Sequence, residues 1–166
     1  MAPFAQLYID GKFQPSSNAE IFEVCNPYSG EVVSISASAS SADCNAAVDA
    51  AQRAFETWEH TTLEDRRNIL LKAADLIDTN RYREKIEEST RQETAAAPDY
   101  CSFNWGSASG HLRAQAKALD LLKDESYPSV VPGAQVTTQR RAMGVVSVLT
   151  NVSNTLLQLI QDFSDS

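Results

Sequence analysis

The sequence predicts an α+β fold: N-terminal hairpin strands, a middle of four helices, and a return to strands as an antiparallel ribbon and one apolar strand. Three observations predict it. Residues 6–40 form short alternating runs broken by turn signals. Residues 41–124 repeat apolar side chains at helical spacing. Residues 128–150 hold an alternating stretch, 134–141, and a continuous apolar run, 144–150. A short amphipathic helix is expected over 155–164, with Leu156, Leu159, Ile160 and Phe163 on one side. The expected organisation is a single domain over 1–166.

In the first zone, Leu7-Tyr8-Ile9 and Lys12-Phe13 flank Asp10-Gly11, a hairpin turn signal. The runs 21–24 and 31–36 flank a second turn, Asn26-Pro27-Tyr28-Ser29-Gly30. In the second zone Ser41 is the expected N-cap of the first helix. Ala47, Ala51, Ala54, Phe55 and Trp58 form its stripe. Thr62 opens the second helix, with Leu63, Ile69, Leu70, Ala73, Ala74 and Ile77 as its apolar face. A charged third helix runs from Thr79 to Ala96, with Tyr82, Ile86 and Thr90 inward and Pro98 as its stop. A fourth covers Tyr100 to Leu122, where Gly106 and Gly110 mark close packing or a kink. Pro128, Pro132 and Gly133 form the connection into the last strands.

Composition narrows the function. With 43% hydrophobic residues, 22% charged residues and a net charge of −8, the chain reads as a soluble protein. Its acidity argues against nucleic acid as a partner. No run approaches the length of a membrane helix, and no secretory signal is visible, so a cytoplasmic location without membrane association is expected. Cys25, Cys44 and Cys101 are widely spaced, and the only histidines are His60 and His111, so no metal site is expected.

The order of signals resembles the aldehyde dehydrogenase superfamily. Residues 7–13 look like its opening hairpin, and residues 24–32 like its Asn-Pro-x-Thr-Gly turn, with Ser29 for threonine. Ala47-Val48-Asp49-Ala50-Ala51, Ala54-Phe55 and Trp58 match its first helix, and Arg66-Arg67, Leu70-Leu71 and Ala73-Ala74-Asp75-Leu76 its second. Glu93-Thr94 resembles its Glu-Thr-Gly turn, with Ala95 in place of glycine. Arg141-Ala142-Met143-Gly144-Val145-Val146 resembles the entry into its first dinucleotide-fold strand. Phe103-Asn104 and Leu112-Arg113-Ala114 look most like the branch acting on vanillin or salicylaldehyde.

The resemblance implies a truncated N-terminal portion of the family's fold. Residues 134–141 would belong to an oligomerisation arm, and 144–149 would be an orphan Rossmann strand. It also places the catalytic cysteine, the general-base glutamate and the Gly-rich cofactor turn beyond residue 166. The family's oxyanion-hole turn is replaced by Asn151-Val152-Ser153-Asn154-Thr155. Losing one such donor costs about two to three orders of magnitude in turnover. The resemblance therefore implies no bound cofactor and no dehydrogenase activity.

Two functions remain. The first is a repurposed enzyme performing a non-redox step (isomerisation, cyclisation or condensation) on a small carbonyl or aromatic substrate in specialised-metabolite biosynthesis. Its catalytic residues would be Asp99, Tyr100, Asn104 and His111, with Phe103, Trp105 and Ser107 binding substrate. At helical spacing Tyr100, Phe103, Asn104, Ser107 and His111 share a face. The competing reading packs the aromatic residues against neighbouring helices. The second function is a non-catalytic interaction partner, forming a homodimer or higher homo-oligomer through 134–150 or joining a full-length aldehyde dehydrogenase. Cys101 is read as a buried inert thiol, and Arg140-Arg141 as the solvated face of the ribbon.

Overall fold

The computed structural model describes residues 3–149. Strand β1 (Phe4–Ala5) runs parallel to β5 (Val32–Ala37), and β4 (Ile21–Cys25) lies antiparallel on the other side of β5. The hairpin of β2 (Leu7–Ile9) and β3 (Lys12–Gln14) forms a separate pair. Its turn uses the left-handed backbone of Asp10 and Gly11, as the sequence signal predicts. The parallel partner β1 adds a strand that the sequence patterning did not reveal, because two residues are too few to show a period.

Helix α1 (Ser41–Trp58) starts one residue earlier in its capping than expected. Ser40, not Ser41, is the N-cap: its backbone is extended and its hydroxyl accepts from the Asp43 N–H, while Ser41 is already helical. The Asp43 carboxylate returns to the Ser40 N–H at 2.8 Å, completing a capping box. Along this helix Ala50 is buried and Ala47, Ala51 and Phe55 are half-buried, whereas Ala54 and Trp58 face out.

Helix α2 (Leu63–Ile77) begins at the N-cap Thr62, whose hydroxyl accepts from the Asp65 N–H. Leu70, Ala73, Ala74 and Ile77 form its inner face, but Ile69 is 52% exposed. Helix α3 (Asn80–Thr94) is shorter than the predicted span. It ends because Ala95 turns into the left-handed region, with φ 53°, and not because of Pro98. Pro98 instead opens α4 (Pro98–Ala118), where its missing N–H costs nothing. No residue of α3 is buried; Ile86 and Thr90 are half-buried, and Tyr82 is exposed.

Helix α4 continues into a single 3-10 turn at Leu119–Leu121. Gly106 and Gly110 mark neither close packing nor a break: α4 runs through both, and both have open space around them. The core lies where α2 and α4 meet. Ala74, Ala108 and Leu112 are buried there, with Leu70, Ala73 and Ile77 packed around them. Small residues let the two helices approach closely. Burying Leu112 is worth about 1.5–3 kcal/mol. Yet no large side chain of the described residues is fully buried, so this core is thin.

The ribbon is made of β6 (Glu125–Pro128) and β7 (Gln135–Thr138), paired antiparallel. Pro128 therefore ends a strand; the connection lies between Ser129 and Ala134. Every residue of both strands is exposed. The expected strand at 144–150 does not form within the described part of that run. A strand exists by pairing, and none of the described strands pairs with it. Val145 and Val146 are 40% and 44% exposed, and Leu149 is 93% exposed. The expected helix at 155–164 and the turn at 151–155 lie outside the described residues.

Candidate functional site

The predicted site residues sit on α4, and the helix sorts them. Its inner stripe is Cys101, Asn104, Ala108, Leu112 and Ala116, all buried. Tyr100, Phe103, Ser107 and His111 each precede a member of that stripe by one residue. They are therefore rotated by about 100° from it, along one neighbouring stripe. Phe103 is 64% exposed and Tyr100 38%, while Ser107 and His111 are half-buried. The Ser107 hydroxyl donates to the Phe103 carbonyl at 2.8 Å, back along its own helix.

Three predicted residues point elsewhere. Asn104 turns into the packing, and its amide donates to the Tyr100 carbonyl at 3.3 Å. Trp105 reaches the other helices: its indole N–H donates to the Ile77 carbonyl at 2.8 Å, and the Arg83 guanidinium lies 4.6 Å from its ring centroid. It thus closes the C-terminal end of α2. Asp99 is exposed in the first turn of α4, where an acid suits the helix dipole. The structure brings together Tyr100, Phe103, Ser107 and His111, and sends Asp99, Asn104 and Trp105 in other directions.

A groove of about 410 Å³ lies between α3 and the start of α4, lined by Glu84, Glu87, Glu88, Arg91, Pro98, Cys101 and Ser102. Sequence reasoning did not single it out. Its signal was the helical spacing of Glu84, Glu87, Glu88 and Arg91, which also fits a solvated face. The Glu87 and Glu88 carboxylates are engaged with neighbours. Glu87 accepts from the Ser102 hydroxyl at 2.9 Å and from the Arg83 Nε–H at 3.2 Å. Arg91 and Gln92 donate to Glu88, which is held below its ordinary acidity range chiefly by the Arg91 hydrogen bond.

Cys101 is 2% exposed at the inner end of this groove. Burial raises its pKa above the ordinary thiol value, the Glu87 carboxylate adds to this, and Arg91 offsets part of it. It is a protonated, packed thiol and a poor nucleophile. Cys25 and Cys44 are exposed. Among the described residues no group of three or more His, Cys, Asp and Glu side chains is arranged to hold a metal ion. Arg140 and Arg141 are exposed, and Arg141 donates to Gln139 at 3.4 Å.

A second polar cluster organises the N-terminal segment. The Asp43 carboxylate accepts from the Ser16 hydroxyl at 3.0 Å, the Ser17 N–H at 3.1 Å and the Ser40 N–H at 2.8 Å. These bonds, led by the Ser40 backbone, hold its pKa well below the usual carboxylate range despite desolvation. The Asn-Pro turn is anchored as well. The Asn26 amide donates to the Gln92 carbonyl at 2.8 Å, and its oxygen accepts from the Tyr28 and Ser29 N–H groups at 2.9 and 3.0 Å.

A dinucleotide needs adjacent parallel strands and a phosphate-binding turn at a helix start. Among the described residues the parallel pair is β1 with β5, and β1 is two residues long. Strand β5 leads to α1, at whose start the Ser40 hydroxyl accepts the Asp43 N–H and the Asp43 carboxylate accepts the Ser40 N–H. A carboxylate there repels a phosphate. The described residues do not fit a nicotinamide dinucleotide, and no step through one follows from them. None of their helices is long and apolar enough to cross a membrane.

The comparisons with known proteins agree with this architecture. The profile of the Aldehyde dehydrogenase family matches residues 13–160. The chain is 39% identical over 140 residues to a vanillin dehydrogenase of Pseudomonas sp. (strain HR199 / DSM 7063), covering 84% of this chain and 28% of that protein. It is 29% identical over 141 residues to a salicylaldehyde dehydrogenase of Pseudomonas sp. (strain C18), covering 85% of this chain and 29% of that protein. The crystal structure of a salicylaldehyde dehydrogenase from Pseudomonas putida G7, complexed with salicylaldehyde, superposes with a TM-score of 0.79 at 29% identity, over 84% of this chain and 28% of that one. The chain thus spans under a third of the length of these relatives. On its sequence match and its fold, it belongs to the aldehyde dehydrogenase family.

Proposed function

We propose that residues 3–149 serve as an assembly segment of an aromatic-aldehyde dehydrogenase, and oxidise no aldehyde without that enzyme's remaining portions. One observation carries this reading. The described residues leave large apolar side chains uncovered on several surfaces, including Phe103 on α4 and Val145, Val146 and Leu149 after the ribbon. We read these side chains as lying on surfaces that the rest of the enzyme covers. The likeness to vanillin and salicylaldehyde dehydrogenases supports reading that body as the rest of such an enzyme, with an aromatic aldehyde as its substrate.

The thiol chemistry supports the same reading. Aldehyde oxidation through a covalent intermediate needs an activated thiolate and a base beside it. Of the chain's three cysteines, Cys101 is buried and protonated, and Cys25 and Cys44 are exposed outside the groove. The non-redox reading requires Asp99, Tyr100, Asn104 and His111 around one substrate. On α4 Tyr100 and His111 share a stripe, but Asn104 turns into the packing and Asp99 lies exposed in the first turn, so the four do not converge on one site.

Co-expression tests the proposal. The chain is produced with a vanillin dehydrogenase from which the matching segment has been deleted. The expected result is a stable complex with recovered vanillin oxidation, each part being silent alone. Failure of the two to co-purify, with the chain remaining a soluble monomer, would overturn it.

A further inference from the structure

We draw no further inference here: the strongest candidate, the groove between α3 and the start of α4 lined by Glu84, Glu87, Glu88, Arg91, Cys101 and Ser102, is an acidic cluster whose described bonds run among its own residues and their neighbours, and nothing in the structure shows what ligand it would take.

Discussion

Asn26 holds Gln92: the side-chain amide of the first sheet's turn donates to the carbonyl near the end of α3 at 2.8 Å, across 66 positions of sequence. The same side chain closes its own turn by accepting from Tyr28 and Ser29. It therefore couples the sheet to the helices, with Ser34 and Glu93 making a longer contact alongside at 3.4 Å. Asn26→Ala removes all three bonds and leaves a helix-end carbonyl unpaired. The expected cost is about 1–3 kcal/mol, read as a lower midpoint in urea unfolding. An unchanged midpoint would show that the turn does not anchor the sheet.

Ala95 occupies a conformation suited to glycine. Its φ of 53° and ψ of 27° end α3 in the left-handed region, which strains any residue with a Cβ. Ala95→Gly relieves that strain, at some cost in unfolded-chain entropy. A net stabilisation of about 1 kcal/mol is expected, seen as a rise in Tm. A fall in Tm would mean that the methyl group makes contacts outweighing the strain.

Asp43 makes the fold sensitive to acid. Its folded pKa lies below the unfolded value of about 4, so it stabilises the fold fully above that value. This contribution fades as pH falls below about 4 and is lost through the folded pKa. Asp43→Asn should lower Tm at neutral pH and flatten the loss of stability below about pH 4. Parallel acid-unfolding curves for the two proteins would contradict this account.

The three thiols should react at different rates. Cys25 and Cys44 are exposed, while Cys101 is buried with a raised pKa. Ellman's reagent at mildly alkaline pH is expected to label two thiols quickly and the third only on unfolding. The C101S variant should abolish the slow phase and keep the fast one. A fast Cys101 would place it in an open, activated site and undo the inert assignment.

The local parts of this fold were legible in the sequence, and its long-range parts less so. Asp10-Gly11 and Asn26 to Gly30 announced their turns because turn chemistry is local. The α2–α4 core followed from the spacing of Ala73, Ala74 and Ile77. Helix ends shifted by a few residues because Ser40 and Ser41 are equally good caps by composition, and only backbone geometry separates them. Pro98 was read as a stop when it is a start, since proline suits both sides of a helix boundary. The apolar run at 144–149 carried a strand signal, but pairing depends on partners that local pattern does not specify. For the candidate site, the stripe of Tyr100, Phe103, Ser107 and His111 was visible in the spacing. The inward turn of Asn104 and the bond from Trp105 to Ile77 depend on where α2 and α3 sit.

The most direct test is the absorbance of reduced nicotinamide when the purified chain alone is given NAD or NADP with vanillin or salicylaldehyde. The account predicts no reduction above the protein-free rate. Steady, protein-dependent formation of NADH or NADPH would contradict it.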